Sequence, residues 1–224
     1  MCIGAIIGKA PDSNAMTDTS PDALRLEIAA VAARLIADGG LDYAGAKRKA
    51  LRQVLGEGSS PKASTPDNDE IDAALREHLD LFDEEHAGRV ARRRQAAAAL
   101  MRRLAPFRPY LTGAVWKGIV AEHAPIHLQL FHDNPKDVEI QLLNDGIRFD
   151  VETTPHFRDR SRDDVEAIVF WWRDEPVMLS LYDEDDLRGA LRGGSAGAER
   201  GDLPALLARI EEPGTADPVA RGAR

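Results

Sequence analysis

Apolar residues recur at helical spacing through the first half of the chain and in short alternating runs through the second. Leu24, Ile28, Val31 and Leu35 lie three or four apart. They follow Ser20-Pro21-Asp22, a capping hydroxyl with a proline and an acid in the first turn, and precede the stop Gly39-Gly40, so the pattern predicts a helix over 21–38. Asp42 caps a second helix running to about Leu55, with Ala46, Ala50, Leu51 and Val54 on one side. Together the two predict a helical hairpin whose apolar stripe needs a partner. Residues 56–66 are rich in Gly, Ser and Pro with little to bury, the composition of a linker. Beyond it Ile71, Leu75, Leu79, Phe82, Val90, Ala97, Met101 and Leu104 predict one long or once-broken helix to Pro106, with Gly88 its weak point.

After Pro106 the period changes. Strands are expected over 110–112, 126–131, 147–152, 167–173 and 177–182, and helices over 115–122, 135–144 and 184–191. Asp174-Glu175-Pro176 is short enough for the last two strands to form an antiparallel hairpin. Residues 193–201 read as flexible and 203–210 as a final short helix. The whole predicts an α/β (α+β) fold: a disordered stretch over 1–19, a helical hairpin over 20–56 and a linker over 57–68. A long helix with a small mixed sheet follows over 69–192, then a flexible segment, short helix and tail over 193–224. Met16 precedes the first helix cap, and the residues before it are expected to be dispensable.

Composition narrows the function classes. The 224-residue chain has 43% hydrophobic residues and a net charge of −9, which disfavours coating nucleic acid by charge alone. Its single cysteine, Cys2, cannot form an internal disulfide, and no run is long enough to span a bilayer, so a cytoplasmic setting without membrane contact is expected. A local basic patch stays open. Arg89, Arg92, Arg93, Arg94, Arg102 and Arg103 follow Asp80, Asp83, Glu84 and Glu85, an order that suits the helix dipole and provides a Glu85–Arg89 pair. The run reads first as a solvated helix end and otherwise as a nucleic-acid patch.

The candidate chemistry lies in Leu111-Thr112-Gly113-Ala114-Val115-Trp116-Lys117-Gly118, then His127-Leu128-Gln129-Leu130, then Asp150. This constellation resembles the polymerase-β-like nucleotidyltransferase superfamily, in which a strand ends in glycine and a small residue. The second strand of that superfamily carries two acids one residue apart, and a later strand a third. The resemblance implies a nucleotidyltransferase-like fold. Gly113, Ala114 and Lys117 would lie beside phosphates, His127 and Gln129 would stand at the acid-pair positions, and Asp150 would be the third, catalytic acid. Glycine admits a close backbone approach, and acids at i and i+2 on a strand share a face, where they can hold two metal ions roughly 3.5–4 Å apart. His127 and Gln129 share that face but carry no negative charge, and Mg²⁺ prefers carboxylate oxygens. The expected function is therefore nucleotide or nucleic-acid binding at a site degenerate for metal. The alternatives are an active atypical transferase using Mg²⁺ and a nucleoside triphosphate, and an interaction module whose partner meets the helical hairpin.

Residues 37–50 are also similar to a module at the start of small bacterial proteins sometimes named UDP-N-acetylmuramate:alanine ligases. Such a ligase resembles a three-domain enzyme about twice this length, with a glycine-rich ATP loop. Gly4 to Ala10 imitates that loop with one residue too few and no hydroxyl for magnesium. His123 and His127 have zinc spacing, but Pro125 interrupts any helix between them, and no metal site is expected. Trp171-Trp172 reads as a strand with one ring inward and one near the surface. Base stacking there would need basic neighbours, and only Arg173 is adjacent in sequence.

Overall fold

The structure, a computed structural model, describes residues 20–56, 65–158, 162–191 and 199–211. The expectations for 1–19, for most of the 57–68 linker, for 193–198 and for the tail beyond 211 lie outside them. α1 (Pro21–Ala37) opens on the Ser20 hydroxyl, which accepts the Ala23 N–H at 3.2 Å, and α2 (Tyr43–Leu55) on the Asp42 carboxylate, which accepts that of Gly45. α3 (Asn68–Phe82) starts with a capping box. Asp67 takes the Glu70 N–H while the Glu70 carboxylate takes the Asp67 N–H. Each such cap contributes about 1 kcal/mol.

α3 corrects the expected domain boundary, because its apolar face packs with the hairpin, while Asp72 and Arg76 reach Lys117 of the part that follows. Its Ile71, Leu75 and Leu79 share one buried cluster with Ile28, Ala32, Ala46 and Ala50, so the segment from 57 connects helices of a single three-helix layer. Ala29, Ala32 and Ala33 on α1 let the neighbouring helices approach closely, and α3 covers the stripe that was expected to need a partner. A second correction concerns the break before α4 (His86–Arg103), which falls at Asp83–Glu85 while Gly88 stays helical. Asp83 makes the break: its carboxylate accepts the Glu85 N–H at 3.2 Å and pairs with Arg89 at 2.7 Å. The expected Glu85–Arg89 pair is thereby replaced.

The remaining chain runs through β1 (Tyr110–Thr112), α5 (Gly113–Lys117), β2 (Ile126–Phe131), α6 (Pro135–Asn144) and β3 (Asp150–Thr154). β4 (Val165–Trp172), β5 (Glu175–Tyr182), α7 (Glu184–Leu191), β6 (Arg200–Gly201) and α8 (Leu203–Glu211) follow. The sheet order is β3-β4-β5-β2-β1-β6, with β2 and β5 parallel and every other neighbour antiparallel, so the fold is α+β with a mixed open sheet. Differences from expectation have local causes. α5 stops at Gly118 (φ 72°), after which Ile119 and Val120 turn into the interior, so the helix expected to 122 is short. β3 begins at Asp150, three residues late, because Ile147 and Phe149 pack against the core instead of pairing. β4 and β5 extend to a tight turn at Arg173 and Asp174, both at positive φ (51° and 62°), the backbone a two-residue hairpin requires. β6 lies where a flexible stretch was expected.

One sheet face is apolar: Leu111, Leu128, Leu130, Ile168, Phe170 and Leu179 pack on α4, α6 and α8 through Leu100, Met101, Leu142 and Leu206. The arginine run serves this packing. Arg93, 4% exposed, donates to Glu175 at 2.6 Å and to the carbonyls of Ala121, Glu122 and Ala124, while Arg89 holds the Val120 carbonyl at 3.1 Å. Arg94 binds the Val115 and Trp116 carbonyls at 3.2 Å. The 118–125 loop has no ladder of its own, and buried carbonyls need donors. Arg89, Arg93 and Arg94 therefore form a clamp, which overturns both the solvated-face and the nucleic-acid-patch readings for them.

Candidate functional site

The other sheet face is mixed, with a small buried cluster around Phe131 and Tyr182 beside a group of polar residues. Alternation along β2 places His127 and Gln129 on it together, and the register sets their neighbours. His127 lies between Thr112 of β1 and Met178 of β5, and Gln129 between Tyr110 and Ser180. β6 adds Arg200 opposite Thr112. In the other direction Met178 pairs with Val169 and Val169 with Asp150. Asp150 thus shares the row of His127 but stands on the outermost strand with β4 and β5 between, about 14 Å away at ordinary strand spacing. It cannot join His127 and Gln129 around one metal ion.

Gly113 borders the site: its φ of 68° suits glycine, and a Cβ there would stand 3.8 Å from that of His127. Ala114 follows it, half-buried, in the first turn of α5. Lys117 points elsewhere. Its ammonium is bound by Asp72 of α3, which also accepts the Tyr43 hydroxyl, so Lys117 ties the three-helix layer to the core instead of meeting a phosphate. Of the residues selected from sequence, Gly113, Ala114, His127 and Gln129 are brought together, while Lys117 and Asp150 are not.

The cluster is neutral except for one cation. His127 Nε2 hydrogen-bonds Ser180 Oγ at 2.8 Å, and burial, helped by the nearby Arg200 charge, lowers its pKa from 6.5 to about 4, so the ring is uncharged at neutral pH. Gln129 Oε1 accepts from Arg200 Nη1 at 2.8 Å, and the guanidinium lies 4.8 Å over the Phe157 ring. Arg200 is 8% exposed, and its Nε has no hydrogen-bond partner among the described residues. Its nearest carboxylate is Glu199, at 3.5 Å and largely solvated. The Tyr182 hydroxyl, near Ser180 and Gln129, is raised in pKa by burial. Arg200 Nη2 donates to that carboxylate, but a contact this long and solvated offsets little of the cost of burying a guanidinium, which a second anion would reduce further.

The segment after β3 folds over this face and is held by Asp186. That carboxylate accepts from His156 Nε2 at 3.1 Å and pairs with Arg158 and Arg162 at 3.3 and 3.2 Å. The Arg158 N–H donates to His156 Nδ1 at 3.1 Å, which puts the imidazole proton on Nε2. A cavity of about 450 Å³ adjoins this segment, lined by His156, Tyr182 and Asp186 together with Asp163, Asp164, Glu166 and Asp183 among others. Among the described residues no group of His, Cys, Asp and Glu is arranged to hold a metal ion.

Sequence reading missed Ser180 and Arg200. Ser180 had a signal, a lone hydroxyl in the apolar run Val177-Met178-Leu179-Ser180-Leu181-Tyr182. Arg200 had none, being one arginine at the end of a glycine-rich stretch. No family model, curated protein or solved structure matches the chain. Among the described residues no helix is long and apolar enough to cross a membrane.

Proposed function

We propose that this chain is a nucleotide-binding protein with a nucleotidyltransferase-like core, one that engages phosphate through a protein cation instead of metal. The observation that carries this reading is Arg200, a buried guanidinium bonded to Gln129, whose Nε has no hydrogen-bond partner among the described residues and whose charge helps to keep His127 neutral. Two-metal transfer needs several carboxylates on one face to balance and place the ions. Here the pair positions on β2 hold His127 and Gln129, and the residue facing Gln129 from the parallel neighbour β5 is Ser180. The guanidinium amid them is positive, and its Glu199 partner is largely solvated. This cation repels Mg²⁺ and attracts an oxyanion, and Gly113 leaves room beside His127 for phosphate oxygens. Arg89, Arg93 and Arg94 are engaged with carbonyls and the net charge is −9, which favours a free nucleotide over nucleic acid. The single cysteine fits a reducing, cytoplasmic setting.

The test is calorimetric titration of the four common ribonucleoside triphosphates in EDTA and in Mg²⁺, with pyrophosphate release assayed in parallel. Binding is expected in EDTA without gain from Mg²⁺, to be lost in Arg200→Met, and without turnover. Metal-dependent pyrophosphate release that disappears in Asp150→Ala would overturn the reading.

A further inference from the structure

Trp171 is 72% exposed, the largest ring so placed among the described residues, and its position follows from the sheet register. Even-numbered residues of β4 face the helices: Ile168 and Phe170 are in the main core, and Trp172 packs against it beneath Arg103. Trp171, like Val169, therefore faces the mixed side, the side of His127 and Arg200. It pairs with Pro176 and is diagonal to Met178, the direct neighbour of His127 across β5 and β2. A path thus runs over the sheet from a buried cation at Arg200, past neutral His127, across half-buried Met178 and Val169, to an exposed indole. The basic residue that a stacking role for Trp171 requires is absent from its sequence neighbourhood on this face. The fold supplies it from β6.

We infer that Trp171 is the base-stacking platform of the nucleotide site, so that the ligand is recognised by an aromatic base at one end and phosphate at the other. The inference rests on the nucleotide reading above and adds the group that distinguishes a nucleotide from inorganic phosphate or pyrophosphate. Charge complementarity selects the occupant. The path is cationic at one end only, and its middle and far end offer apolar and π surface, which suit a flat heterocycle better than a second anion. Four strand spacings separate β6 from β4 on this path, but the Arg200 side chain reaches inward to Gln129 on β2 and the indole is itself long. What remains to be bridged is on the scale of an extended nucleoside polyphosphate.

The experiment compares calorimetric affinities of the parent, Trp171→Ala, Trp171→Phe and Arg200→Met for ATP and for pyrophosphate, all in EDTA, with Trp171 emission followed on binding. The exposed position makes both Trp171 variants foldable, as a melting curve will verify. Expected are about tenfold weaker ATP binding in Trp171→Ala, substantial retention in Trp171→Phe, unchanged pyrophosphate binding in both, and loss of both ligands in Arg200→Met. ATP binding undiminished in Trp171→Ala, or pyrophosphate bound as tightly as ATP by the parent, would overturn the stacking role while leaving the cation site standing. Failure of the parent to bind either ligand would overturn the nucleotide reading itself, and the stacking role with it.

Discussion

Glu175 Oε2 accepts a hydrogen bond from Arg93 Nε at 2.6 Å, joining α4 to the start of β5 across 82 residues of chain. The same guanidinium holds three carbonyls of the loop between α5 and β2. Arg93→Ala would leave a buried carboxylate and three carbonyls without their donor, a loss of about 3–5 kcal/mol. Urea unfolding should show it as a lower midpoint, whereas Arg92→Ala, at an exposed position with a 3.6 Å contact to Glu175, should change the midpoint little. Equal effects would show that charge number, and not the clamp, carries the stability.

Gly201 and Gly146 should respond differently to alanine. A Cβ on Gly201 would stand 2.1 Å from the Trp116 ring, which also lies 4.0 Å from the Arg209 guanidinium, so the added methyl forces β6 and α8 off the core. The expected cost is about 1–3 kcal/mol. At Gly146 no atom lies within 4 Å and φ is 70°, so alanine there adds only left-handed backbone strain, about 1 kcal/mol. Denaturation of the two variants side by side tests the order, and a Gly201→Ala protein as stable as Gly146→Ala would contradict the packing described.

His127 makes the fold acid-sensitive. The ring takes a proton near pH 6.5 in the unfolded chain and only near pH 4 in the fold, so between those values the unfolded chain binds more protons. This group's contribution is therefore fully present above pH 6.5 and declines as the solution is acidified toward pH 4. Scanning calorimetry across that window should show the parent losing at least ~5 °C more than His127→Gln, which cannot titrate. Parallel curves would mean that the ring is not held neutral.

Asp72 bridges the two layers through Lys117 and Tyr43. Its removal in Asp72→Ala leaves a half-buried ammonium and a half-buried phenol unpaired, with an expected cost of about 1–3 kcal/mol. Because the contact lies between the layers, hydrogen exchange should accelerate first in α1 to α3. Exchange that accelerates uniformly through the sheet would instead make Asp72 part of one indivisible cooperative unit.

The helices and strands were readable where local pattern and tertiary demand agree. α6 and β2 have the predicted limits because Asn134-Pro135 caps one and the alternation from Ile126 to Leu130 marks the other. Reading failed where a residue's role is set by something distant. The arginines of α4 have the spacing of a solvated face, and only the bare carbonyls of a loop about thirty residues away turn them inward. Asp150 lay on a strand as expected, but sequence order does not reveal that the β4–β5 hairpin inserts β5 beside β2 and leaves β3 at the edge. The site was legible as far as Gly113, His127 and Gln129. Its charge was not, because that comes from a two-residue strand too short to leave a pattern.

Arg200 reaches Gln129 across 71 residues. During synthesis the helical layer and the strands through β5 can fold while this arginine is still to be made. Such an intermediate would have most of its apolar core in place and Gln129 without its guanidinium, so the affinity proposed above would arise abruptly once Arg200 is made, and not build up with the growing chain. A nucleotide bound as proposed would in turn fasten β6 and α8 to the sheet, making resistance of these two elements to proteolysis a direct readout of occupancy.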